Sequence, residues 1–207
     1  MRTVKHPVVL AVVFLGAAGL VYWKWPRSTP IVNAHPTGAQ LIALGDSLTQ
    51  GIGATRGHDF VSVLAQKIGR PILNGGVAGD TTADALARLK RDVLDRDPRI
   101  VFVFLGGNDV LRQIPVGQTF ANLDQIVAQI QARGAMVVLV EVRPPMAGSK
   151  YGREFKRLAR RRGAVLVPNV FRGIFLDPRM KSDQIHFNDA GYAVVAERIY
   201  AAIEPHL

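Results

Sequence analysis

Short, nearly all-apolar runs alternate along the chain with segments whose apolar residues recur every three or four positions. The runs are Gln40–Leu44, Pro71–Asn74, Ile100–Leu105, Met136–Val140 and Val165–Val167. Each is short for a helix and too uniformly apolar for a strand with one wet face, so each predicts a strand buried on both faces. Between them the period becomes helical: Phe60, Leu64 and Ile68; Leu86, Leu89 and Val93; Phe120, Leu123, Ile126, Val127 and Ile130; Val195, Ile199, Ala202 and Ile203. Gly69, Gly134 and Gly163 stand where helices should stop, each just before a strand. Five such strands separated by helices imply an α/β fold, a parallel sheet with helices on both faces. In such sheets chemistry gathers at the carboxyl ends of the strands.

The N-terminus breaks this pattern. Val8 to Trp25 is apolar throughout except for Lys24. Eighteen residues of helix span roughly 27 Å, near the thickness of a bilayer core. Tyr22, Trp23 and Trp25 cluster at the far end, where amphipathic rings favour the headgroup region. Residues 1–25 read as an uncleaved membrane anchor or as a signal peptide cut near Ala17-Ala18-Gly19. The anchor is favoured, because the apolar run continues past the small residues into the aromatic cluster. Pro26, Pro30 and Pro36 then punctuate a polar stretch that reads as a linker, 26–38, reaching at most about 40 Å. The folded domain is expected to occupy 39–207.

Composition narrows the chemistry. At 207 residues and 48% hydrophobic, the chain can build one ordinary core. The absence of cysteine excludes disulfides, a thiolate nucleophile and cysteine-bound metal. Of the net charge of +10, four positive charges (Arg2, Lys5, Lys24 and Arg27) flank the apolar segment, leaving +6 for the rest. Lys156, Arg157, Arg160, Arg161 and Arg162 concentrate charge on one predicted helix. That permits contact with nucleic acid or anionic lipid, but a solvated helix with cations favourably near its C-terminus is the preferred reading.

The unusual residues fall at the predicted strand ends. The first strand runs into Gly45-Asp46-Ser47-Leu48, which places a serine at the mouth of the sheet; a plain helix cap is the competing reading. The second ends in Asn74-Gly75-Gly76-Val77-Ala78-Gly79-Asp80-Thr81. A Gly-rich loop before a helix offers free N–H groups, but the Lys-Ser/Thr pair of a phosphate loop is missing and Asp80 would repel phosphate, so a small transient oxyanion fits better. The third ends in Gly106-Gly107-Asn108-Asp109, either a side-chain donor facing a ligand or an Asx-turn. Near the C-terminus, Asp183 lies three residues before His186, where an acid can fold back onto the imidazole. A serine, a histidine and an aspartate supply nucleophile, base and orienting acid. Ser47 N–H, Gly79 N–H and the Asn108 amide supply oxyanion donors. Each motif is weak alone; together they point to acyl-group hydrolysis.

These blocks resemble the SGNH (GDSL) hydrolase superfamily. Ala78-Gly79-Asp80-Thr81, Ala87-Arg88-Leu89, Gly107-Asn108-Asp109-x-Leu111-Arg112 and Arg143-Pro144-Pro145…Tyr151-Gly152-Arg153 are similar to the bacterial thioesterase I / lysophospholipase L1 type, also called arylesterase. The resemblance implies a three-layer α/β/α, flavodoxin-like fold with five parallel strands in the order 2-1-3-4-5. It makes Ser47 the nucleophile, His186 the base and Asp183 its partner, with Gly79 and Asn108 completing the oxyanion hole, and it calls for no metal or cofactor. Phe187 after the histidine departs from the usual Leu or Pro.

The expected activity is hydrolysis of small acyl esters or thioesters, lysophospholipid included, by a monomer. It would be attached to the inner membrane with its domain in the periplasm, or periplasmic or secreted if the segment is cleaved. Ile114, Val116, Pro144, Pro145 and Met146 lie in loops at the catalytic end and are candidates for an acyl pocket. A carbohydrate O-acetylesterase on the same triad and a basic membrane- or nucleic-acid-binding protein are the alternatives. No nucleic-acid partner is expected.

Overall fold

The computed structural model describes residues 29–207. The apolar run Val8–Trp25, and with it the expected anchor, lies outside them. Among the described residues no helix is long and apolar enough to cross a membrane.

Five parallel strands form one sheet in the order β2-β1-β3-β4-β5. They are β1 (Gln40–Gly45), β2 (Ile72–Gly76), β3 (Pro98–Phe104), β4 (Met136–Val140) and β5 (Val165–Val167). The central strands β1, β3 and β4 are buried along almost their whole length, as their unbroken apolar sequence demands. In register, Leu41 sits beside Ile72 on one side and Ile100 on the other. Strand ends differ from the sequence pattern for local reasons. Pro71 stays outside β2, having no N–H for the ladder, whereas Pro98 is tolerated as the first residue of β3.

The principal helices are α1 (Ser47–Gln50), α2 (Phe60–Ile68), α3 (Thr82–Asp92), α4 (Gly107–Leu111), α5 (Val116–Ala132), α6 (Gly148–Arg162) and α7 (Asp189–Ile203). Helix α2 packs beside α7, while α3, α5 and α6 pack in series. These two groups make the outer layers, and the architecture is the three-layer α/β/α fold that the alternating pattern implied. The buried face of α5 is the expected stripe, with Thr119 added to it. In α3 the helix starts at Thr82 and turns Ala85 and Leu89 inward, so Leu86 is only half-buried.

The compact unit containing the sheet begins at Ile31, ahead of the expected Ala39. Part of the stretch read as linker is docked. Val32 N–H donates to the Gly163 carbonyl at 2.8 Å, and the Asn33 amide donates to the carbonyls of Gln131 and Ala135, both at 2.9 Å. The segment whose prolines suggested an open spacer is instead tied to residues at or just beyond the C-terminal ends of α5 and α6, and Arg99 of β3 reaches the Pro36 carbonyl.

Candidate active site

The sheet order reverses between β2-β1 and β3, and the loops after these three strands open a crevice at their carboxyl ends. Ser47 stands in it as the first residue of α1. The turn that puts it there needs Gly45, because a Cβ at that position would lie 2.0 Å from Thr49 Oγ1 and 2.7 Å from the Phe104 carbonyl oxygen. Asp46 caps α1, its buried carboxylate accepting from Leu48 N–H at 3.0 Å. Burial raises the Asp46 pKa to about 6, against the pull of the Leu48 N–H and of nearby His186.

The loop before α7 brings the histidine to the serine. Asp183 Oδ1 accepts the N–H groups of both Ile185 and His186 at 2.7 Å, which folds the loop back on itself. Its Oδ2 lies 2.7 Å from His186 Nδ1, and His186 Nε2 lies 3.0 Å from Ser47 Oγ. An Nδ1–H donating to the carboxylate leaves the Nε2 lone pair facing the hydroxyl. The N–H of His186, its ring and the Ile185 N–H together hold the Asp183 carboxyl far below the usual carboxylate range. Phe187, the departure from the usual residue, is fully buried against Phe171 and Tyr192 and pins the next position of the loop.

Of the donors expected from the other two strand ends, Asn108 lines the cavity over Ser47, whereas Gly79 lies outside its wall. Gly79 has φ +84°, a left-handed conformation that glycine adopts without strain. Among the described residues, neither Ser47 N–H nor Gly79 N–H is engaged by another group of the chain. Asn108 Nδ2 donates to the Asp80 carbonyl at 2.9 Å and, over 3.3 Å, to Asp46 Oδ2. The surrounding polar groups fix these loops. Arg88 joins Asp80 (2.6 Å), Asp92 (3.1 Å) and the Gly45 carbonyl (3.0 Å). Buried Asp109 accepts from the Thr82 N–H and from the hydroxyls of Thr82 and Thr119.

A cavity of about 240 Å³ opens over Ser47. Of the expected pocket residues, Pro144 and Met146 line it, and Pro145 lines an adjoining cavity instead. Ile114 and Val116 lie outside its wall: the chain turns into α5 there, Ile114 N–H bonds the Asp109 carbonyl, and Val116 packs on the core. The wall is completed by Leu48, Leu111, Val142, Phe171, Phe175 and Ile185, which sequence reading missed. A weak signal existed in Phe171 and Phe175, four apart just after the last strand. An imidazole between a hydroxyl and a carboxylate can withdraw the hydroxyl proton, and free N–H groups beside it can hold an oxyanion.

Residues 43–194 match the GDSL-like lipase/acylhydrolase family. The esterase TesA of Pseudomonas aeruginosa is 29% identical over 178 residues, covering 81% of this chain and 89% of that protein. The thioesterase 1/protease 1/lysophospholipase L1 of Escherichia coli is 31% identical over 173 residues, covering 80% and 83%. A solved crystal structure of TesA superposes with a TM-score of 0.76 at 28% identity, covering 82% of this chain and 100% of that one. The chain belongs to the GDSL-like lipase/acylhydrolase family and is an esterase of that class.

Proposed function

We propose that this esterase cleaves carboxylic ester or thioester bonds of acyl substrates through an acyl-enzyme on Ser47. The observation that carries the reading is the unbroken line Asp183–His186–Ser47, with contacts of 2.7 and 3.0 Å, at the floor of an apolar cavity. His186 Nε2 takes the Ser47 proton as Oγ attacks the acyl carbonyl carbon. Asp183 keeps the ring in the required tautomer and stabilises the imidazolium. Negative charge develops on the carbonyl oxygen, where Ser47 N–H, Gly79 N–H and the Asn108 amide receive it, the amide giving up its long contact to Asp46 Oδ2. The tetrahedral centre then collapses, the C–O or C–S bond breaks, and the alcohol or thiol leaves with the proton from His186. Water, deprotonated by the same imidazole, releases the carboxylic acid and restores the serine.

The apolar wall favours an acyl chain over an acetylated sugar. The run Val8–Trp25 is assigned as an anchor that holds the exported domain at the inner membrane, on the strength of its flanking cations and its aromatic end.

Ser47→Ala tests the central step. It should lower kcat on a short p-nitrophenyl ester by about a millionfold, as expected for loss of a nucleophile that works as a unit with its base. Near-UV circular dichroism should be unchanged. Retained turnover in that folded variant would refute the assignment.

A further inference from the structure

The catalytic cavity is not isolated. A second cavity of about 660 Å³ shares Pro144, Phe171 and Phe175 with it, and a third of about 830 Å³ shares Arg143, Asn169, Arg172 and Gly173 with the second. The catalytic cavity therefore adjoins, across two phenylalanines, a cleft lined by three arginines, Arg143, Arg172 and Arg198.

Their charges are not equally compensated. Arg143 lies 3.2 Å from Glu141, a buried carboxylate. Asp177, which also lines the second cavity, is engaged by Arg179 at 2.7 Å. Arg172 and Arg198 form no ion pair with any described residue; Arg198 donates only to the Val170 carbonyl, at 2.6 Å. Its half-buried guanidinium is pushed below the usual arginine range, first by desolvation and then by the charge of Arg172. Two like charges brought together without a counter-charge are costly unless an anion relieves them.

The geometry points to an anion subsite at Arg172, Arg143 and Arg198 that takes a phosphate carried on the leaving group of the acyl substrate. This rests on the esterase reading above: the chain fills the apolar cavity, the scissile carbonyl sits at Ser47, and the alcohol or thiol extends past Phe171 and Phe175. A guanidinium binds phosphate oxygens through paired, charge-assisted N–H donors, which a neutral alcohol cannot match. Two kinds of substrate carry this chemistry, a monoacyl glycerol phosphate and a phosphate-bearing acyl thioester.

The test uses the full-length chain in non-ionic detergent and three octanoyl substrates: neutral 1-octanoylglycerol, 1-octanoylglycerol 3-phosphate and octanoyl-coenzyme A. The exposed Arg172 is changed to Gln and, separately, to Glu. The wild type should prefer at least one phosphate-bearing substrate. Arg172→Gln should lower the phosphate-to-neutral ratio of kcat/KM about tenfold, the loss expected for one charge-assisted contact, and Arg172→Glu should lower it further. Inorganic phosphate should inhibit neutral-ester hydrolysis competitively, and more weakly in both variants. The substrate whose preference collapses identifies the source of the phosphate. Ratios that are the same in wild type and both variants for both phosphate substrates would overturn the subsite while leaving the esterase standing. Turnover of none of the three would remove the esterase reading, and this proposal with it.

Discussion

Asp46 sits in an environment that its neighbours in sequence do not suggest. Gly-Asp-Ser after a strand announces a cap, and the cap is present; what the three letters do not carry is that the carboxyl is almost fully buried and faces Asn108 from the next strand but one. Its folded pKa, about 6, lies above the unfolded value of 3.8. The native state therefore holds this proton more tightly, and the group costs stability as pH rises from about 4 to 6, with the full cost present above that window. The difference corresponds to about 3 kcal/mol as an order of magnitude. Urea unfolding of wild type and Asp46→Asn across pH 4–7 should show the wild type losing ground to the variant by roughly that amount as pH rises. A pH-independent difference would contradict the burial argument. The same limit on local reading explains the pocket. Ser47, Asp183 and His186 announce themselves by residue type and spacing, whereas Phe171, Phe175 and Val142 are ordinary apolar residues until the fold brings them over the serine.

At the scale of elements, the strands were legible because burial on both faces leaves continuous apolar runs. Their ends were less so, because prolines and loop hydrogen bonds decide them. The docking of segment 31–37 is hidden from the sequence for a related reason: its contacts are backbone and amide hydrogen bonds to distant carbonyls, and these leave no periodic trace. The loop between β2 and α3 is held by similar long-range polar contacts. Arg88 on α3 reaches the carbonyl of Gly45, next to the serine turn, and the carboxylate beside Gly79, so one side chain clamps two of the three loops at the site. Arg88→Met keeps the stem and removes the clamp. Because both Arg88 and Asp80 are largely shielded from water, stranding the carboxylate should cost about 3 kcal/mol in urea unfolding. It should also lower kcat on a soluble ester more than it alters KM, since the loops it clamps carry Ser47 and Gly79, to which the proposed mechanism gives roles in the transition state. Unfolding and kinetics like those of wild type would show that the loops hold their places without it.

The charge of the whole molecule reads differently once its partners are known. On the cationic helix α6, Arg161 and Arg162 both bind Asp124 of α5, and Arg157 binds Glu154. The two arginines on Asp124 hold its pKa down to about 2, Arg162 contributing most, so that carboxylate stays charged throughout the neutral range. Three of the five cations that suggested a binding face are thus spent within the domain. Four more belong to the N-terminal segment. The division of labour between that segment and the domain can be separated experimentally. Every group assigned to chemistry falls between Gly45 and His186, within the compact unit Ile31–Leu207, whose sheet is closed over its own core. A chain beginning at residue 29 should therefore fold, and should hydrolyse a water-soluble p-nitrophenyl ester with unchanged kcat/KM. On the proposed anchor, the full chain should sediment with the membrane fraction and resist extraction by high salt, as expected of attachment by an apolar segment of spanning length rather than by charge. The shortened chain should appear in the soluble fraction. Full-length protein that salt releases from the membrane would remove the anchor and leave the basic surface as the attachment.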